Sequence, residues 1–250
     1  MKGWVYTKTA YQLGYFQVPE CFEKLDEFIG KLLLKKNNKI VLNAHSSRYS
    51  DLAQNLCRRM ADIELYAWLI SQAETAPNAF NGATIIGTYL VGYFSACKSL
   101  LDAGSITLAK LYNLDLSNKE MDFSKPKFRK ELKEKQATVH DRYTRFDGLV
   151  NDIVELRDSA VHRVTPFVIV HAPDSPDKTP RNKQEIRMIP EPDTELSTFV
   201  KNHEKINWVK PLHFHNEWKN RLIEFCEEVC LDIRDKIEST LLQSPQPQDS

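Results

Sequence analysis

The amino-acid sequence reads as a mainly α protein: a four-helix up-and-down bundle with an N-terminal α/β cap and a β-hairpin inserted before the last helix. Three observations lead there. Apolar residues recur at helical spacing over four long segments. Pro77, Pro166 and the five prolines between His171 and Pro192 fall between those segments. Two short β-prone runs stand together ahead of the last one.

Residues 1–47 form the expected cap. WVYTK and the Tyr11 to Val18 stretch are aromatic and β-prone, and KIVLN reads as a short strand. Between them, after Pro19, the run ECFEKLDEFIGKLLLKK places Phe22, Leu25, Phe28, Ile29, Leu32 and Leu33 on one helical face. The bundle is expected over 48–165 and 212–243. Its first helix should start at a Ser50-Asp51 cap and run to about Glu74, with Leu52, Leu56, Met60, Ile63 and Ile70 on its apolar side. Its second should run from about Thr84 to Asn113, with an apolar arc wide enough for the middle of a bundle. Gly82, Gly87, Gly92 and Gly104 lie in or beside it. Glycine is costly inside a helix, so close approach of another backbone is the expected compensation.

A charged connector, Lys119 to Lys135, carries seven basic residues against four acidic ones and includes the helical FRKELKEK. It reads as a solvated helix face, with enough local charge to hold an RNA backbone. The third bundle helix should run from Val139 to His162, stopped by Pro166. Residues 166–211 are the excursion, with FVIVH and QEIRMI as its two strands. The fourth helix should begin near His213 and end near Leu242, before a disordered tail, 244–250.

Hydrophobic residues make up 42% of the 250 and charged residues 27%, which is ordinary globular composition. Lys plus Arg and Asp plus Glu are each 34, so no bulk field draws the protein to nucleic acid or anionic lipid; such binding needs a local patch. The five cysteines are odd in number and scattered, as expected for reduced thiols in a cytoplasmic protein. The N-terminal residues lack the continuous apolar run of a signal peptide, and the uncharged stretch Thr75 to Cys97 is too short in its apolar part to span a bilayer. No membrane association is expected.

The chemistry concentrates in ELRDSAVHR, Glu155 to Arg163. On a helix of about 100° per residue, with Phe146 as origin, Val150, Ile153, Ala160 and Val164 lie within about 40° and Arg157 at about 20°. A guanidinium in that stripe cannot shed its charge, and it needs a carboxylate, a carbonyl cluster, a partner chain or a phosphate. His162, five residues on, lies about 140° round, so the two converge only through long side chains, a frayed last turn or a second copy of the chain. Arginine grips phosphate oxygens and steadies developing charge, and histidine moves a proton near neutral pH. The two suffice for metal-free RNA cleavage with the 2′-hydroxyl as nucleophile. The plainer alternative is a structural ion pair at Arg157 and a helix-terminal cap at His162.

Leu156-Arg157-Asp158-Ser159-Ala160-Val161-His162 resembles the R-polar-xxx-H signature of HEPN domains (higher eukaryotes and prokaryotes nucleotide-binding). YFSACKSLLDAGSITLAKLYNL is similar to the second helix of that family. The resemblance covers the bundle and leaves out the cap and the excursion. It implies an all-helical homodimer whose paired motifs form a composite cleft at the interface. Many members are metal-independent endoribonucleases, often toxins or defence effectors, so RNA and an antitoxin protein are the implied partners. By position, Arg157 would hold the scissile phosphate, His162 would act as general base or acid, and Asp158 would orient them, with no metal or cofactor. Other members bind nucleotide, RNA or protein without cutting, and that non-catalytic dimeric module is the alternative reading.

Weaker constellations remain. His213 and His215 with Trp208 and Trp218 suggest a metal or stacking site, but an H-x-H pair at a helix start diverges. Cys226 and Cys230, one turn apart, read as buried small apolar residues rather than a redox pair. Asp102, one turn after Lys98, reads as a solvated ion pair.

Overall fold

The computed structural model of the chain describes residues 17–35, 44–75, 79–162, 169–171, 186–190 and 208–243. The fold is mainly helical. Among the described residues there are seven helices: α1 (Glu20–Lys35), α2 (Ala44–Glu74), α3 (Ala79–Leu111), α4 (Pro126–Lys135), α5 (Ala137–Thr144), α6 (Asp147–His162) and α7 (His213–Gln243). Three short strands, β1 (Ile169–His171), β2 (Ile186–Pro190) and β3 (Trp208–Val209), pair antiparallel in that order, with Val170 opposite Arg187 and Pro190 opposite Trp208. Residues 172–185, which would turn the expected hairpin, lie outside the described residues, so the hairpin is not seen as a unit. The β-prone runs 4–8 and 11–18, the short strand read at 39–43 and the tail 244–250 also fall outside them, apart from Gln17 and Val18, which are not in a strand.

The helix expected to begin at Ser50 begins at Ala44. Ser50 is not a cap: its hydroxyl accepts a hydrogen bond from Gln54 Nε2 at 3.3 Å, one turn on. The second helix ends two residues before the expected Asn113, which takes a left-handed φ of 50°. The Leu114 N–H then reaches back to the Ala109 carbonyl at 2.9 Å, a helix-ending turn that asparagine tolerates.

The third bundle helix is two helices. After Thr144 the chain tightens, with the Phe146 N–H bonded to the Tyr143 carbonyl at 3.0 Å. The Arg145 carbonyl accepts from Arg221 Nη2 at 3.2 Å. Asp147 opens α6 beside the Arg129 guanidinium. Gly148 follows the break directly, and tertiary partners shape it: the Phe146 ring joins a buried aromatic cluster instead of continuing a stripe.

The chain divides into two compact units, and four of its helices contribute to both: 1–61, 99–147 and 221–250 in the first, 62–98 and 148–220 in the second. The core of the first unit gathers around Phe225, whose ring lies 5.4 Å from Phe123, 5.5 Å from Phe146 and 5.9 Å from Tyr143. Phe22, Leu56, Met60, Leu100, Phe128 and Val229 are also buried there. Asp102 is half-buried in this unit. In the second unit Ile63, Ile70, Ile86, Leu90, Leu149 and Ile153 are buried, with Tyr93 stacked on Trp218 at 6.4 Å and Phe214 edge-on to Phe94 at 5.4 Å.

No helix among the described residues is long and apolar enough to cross a membrane.

Candidate functional site

Helix α6 carries the Arg157 motif. Its burial fades along its length: Leu149, Val150 and Ile153 are buried, Leu156 to Ala160 are half-buried, and Val161 is 42% exposed. The stripe expected to run on through Ala160 is therefore not sealed at Arg157. The Arg157 side chain keeps 34% of its exposure, and its Nη1 donates to Asp158 Oδ1 at 2.8 Å. Adjacent helical residues project about 100° apart, so this pair forms because the long arginine folds sideways across the helix. A third-exposed guanidinium stays hydrated on one side, so it needs no deep counter-charge. His162 is the last residue of α6. Arg157 and Asp158 are thus brought together, and His162 ends the same helix a little over one turn further on.

The charged side chain that does break a greasy seam is on α7. Asp232 is 1% exposed, between Val229 and Ile233, both fully buried. Its Oδ1 accepts from the Tyr112 hydroxyl at 2.8 Å and from Arg142 Nη2, and its Oδ2 accepts from the Tyr143 hydroxyl at 2.8 Å. Glu228, one turn back, adds ion pairs with Arg142 at 3.2 Å and Arg145 at 2.8 Å. Burial pushes the Asp232 carboxyl above its usual range, against the pull of the tyrosines and Arg142. Burial beside this carboxylate likewise raises both tyrosine hydroxyls. Three donors on one buried carboxylate make a structural knot that ties the turn after α3 to α5 and α7. The reasoning applied to Arg157, a charge at the centre of an apolar stripe, was the signal that could have found Asp232.

The His213 and His215 constellation resolves into separate contacts. His213 Nε2 is 3.2 Å from Glu217, whereas His215 Nε2 is 3.6 Å from Glu64, which Lys219 also holds at 3.0 Å. Trp218 is buried against Tyr93 and Phe214 as core. Burial holds the His215 imidazole below its usual pKa. Among the described residues no three His, Cys, Asp or Glu side chains are grouped to hold a metal ion.

Four of the seven cations of the basic connector have local partners. Lys127 pairs with Glu120 at 2.8 Å, Arg129 with Asp147 and the Phe123 carbonyl, Lys130 with Glu134 at 3.8 Å, and Lys135 with the Asn113 carbonyl. Each of these four cations spends part of its charge within the fold, which weakens the connector as an RNA cradle.

Sequence reasoning also missed that Cys21 on α1 and Cys230 on α7 line one groove. Nothing in their spacing signals it, since the groove exists only once the first helix packs on the last.

Comparison with family models, curated proteins and solved structures finds no significant match for this chain.

Proposed function

We propose that the chain is a metal-independent endoribonuclease of HEPN type, of the toxin or defence class, active as a homodimer with a composite site. The carrying observation is Arg157: a guanidinium oriented by Asp158 at 2.8 Å, still one-third exposed, on the helix that ends at His162. In the proposed reaction His162 takes the proton from the 2′-hydroxyl, and that oxygen attacks the adjacent phosphorus. The charge gathering on the equatorial oxygens falls to Arg157, whose fork suits two of them. The 5′-oxygen leaves with a proton from the second copy's histidine or from water. Substrate phosphate would compete with Asp158 for the guanidinium.

Trp68, Ile85 and Val161, about 40% exposed each, are the exposed large apolar residues among those described, and all belong to the unit that carries the motif. Single exposed apolar residues are ordinary on a protein surface, so the dimer rests on the proposed composite site.

The test is incubation of purified protein with RNA in EDTA, beside Arg157→Ala and His162→Ala. Cleavage lost in both variants, with helical content kept, supports the enzyme. Equal residual activity in all three proteins overturns it. The second reading, a module that binds nucleotide, RNA or protein without cutting, draws on the same ion pair, because Asp158 already satisfies the arginine. It predicts RNA binding without cleavage, weakened by Arg157→Ala and indifferent to His162→Ala.

A further inference from the structure

At the start of α7, His213 Nε2 lies 3.2 Å from the Glu217 carboxylate, and the imidazole stands edge-on to Phe214 at 5.5 Å. Both residues belong to the unit that carries Arg157, and the His213 side chain is as open to solvent as that arginine. The face and the level of the two helices put them side by side. His213, Glu217, Arg221 and Glu228 stand four, four and seven residues apart, so they share one flank of α7. From that flank Arg221 reaches the Arg145 carbonyl at 3.2 Å and Glu228 the Arg145 guanidinium at 2.8 Å, so it faces the chain leading into α6. The other stripes of α7 are taken: Phe214 and Trp218 lie against Phe94, and His215 and Lys219 against Glu64. On α6, Arg157 follows Ile153 by four residues and Val150 by seven, both fully buried, so it holds the inward side where burial ends.

The level follows from the antiparallel run of the two helices. Arg142 pairs with Asp232, and further along Phe146 packs on Phe225 at 5.5 Å. Arg157 is eleven residues beyond Phe146, and Phe214 is eleven before Phe225, about 16 Å along each axis. Arg157 therefore stands level with Phe214, and Asp158 with His213. Packed helix axes are about 8–10 Å apart, a gap that an arginine and a histidine bridge with a phosphate between them.

We propose that His213, steadied by Glu217, is the general acid that protonates the leaving 5′-oxygen, in place of a second copy's histidine or water. This rests on the reading of Arg157 and His162 as a ribonuclease site. His162 takes the 2′-hydroxyl proton, the 2′-oxygen bonds to phosphorus, and the bond from phosphorus to the 5′-oxygen breaks with its electron pair. That oxygen takes the proton from His213 Nδ1, because Nε2 is turned to Glu217. The products are a 2′,3′-cyclic phosphate and a 5′-hydroxyl. His162 ends protonated and His213 neutral, and water exchanges the proton between them.

The full chain is given a mixed-sequence RNA in EDTA, then the same RNA with a bridging 5′-sulfur at the mapped cut. A thiolate leaves without a proton far more readily than an alkoxide. His213→Gln should slow cleavage of the ordinary RNA at least about a hundredfold and cut the sulfur-bridged RNA at nearly the wild-type rate. His162→Ala should lose both, since both need the base. Equal losses on the two substrates, or full activity on the ordinary RNA, overturn the role of His213 and leave the site standing. No cleavage by the wild type overturns the reading of the site and His213 with it. Should His213→Gln not fold, nuclear magnetic resonance of the unsubstituted chain decides. An uncleavable 2′-O-methyl RNA should shift the His213 ring signals together with the Arg157 side-chain N–H, and Arg157 shifting alone overturns the assignment.

Discussion

Arg157 and Asp232 show how accessibility separates two kinds of buried-looking charge. Asp232 is sealed and fully partnered, so its removal leaves the buried Tyr143 hydroxyl without its acceptor and takes from Arg142 one of its two carboxylates. Asp232→Ala should cost about 3 kcal/mol, read as a lower urea midpoint with an unchanged slope; a loss under about 1 kcal/mol would mean the knot contributes little. His215 has a pH signature of its own. Its folded pKa is depressed by burial, so its contribution to stability is complete above the unfolded value of about 6.5 and is lost as pH falls toward the lower folded value. The wild type should therefore lose more stability than His215→Gln between about pH 8 and about pH 5.5. Equal losses would place the imidazole's titration outside that window or remove its burial as a cause.

At the scale of elements, α3 shows why its glycines are there. A Cβ on Gly104 would lie 2.4 Å from the Phe225 ring, and one on Gly92 would lie 2.2 Å from the Tyr66 ring. Phe225 is fully buried among three other rings and cannot yield, whereas Tyr66 is half-buried and can swing outward. Gly104→Ala should destabilise by about 1–3 kcal/mol, while at Gly92 the gain in helix propensity, about 1 kcal/mol, should offset much of the strain. Chemical denaturation of both variants checks the order, and equal costs would contradict it. A close approach at these glycines was legible in the sequence, but what approaches is an aromatic ring and not the expected backbone; α1, α3, α4 and α7 were legible to within a few residues. The break between Thr144 and Asp147 was not, because its causes are the ring of Phe225 and the guanidinium of Arg221, far away in sequence. The early start of α2 was hidden likewise, since Ser50 looks like a cap until Gln54 takes its hydroxyl. At the candidate site the residues were readable, but the exposure of Arg157 was not. Periodicity gives the direction of a side chain, and neighbours decide whether that direction is covered.

For the whole molecule, a net charge of zero means that self-repulsion does not oppose a pair of copies. Val161, exposed and next to His162, is the residue whose replacement should break such a pair. Val161→Glu should shift sedimentation from dimer toward monomer and lower RNA cleavage in parallel; a fully active monomer would remove the composite site. The most direct measurement remains RNA cleavage in EDTA by the wild type, Arg157→Ala and His162→Ala, each confirmed folded. Loss of a hundredfold or more, about the range for removing one acid–base or charge-stabilising group, is expected in each variant. Cleavage at the wild-type rate by either one would contradict the assignment of Arg157 and His162 to the chemistry.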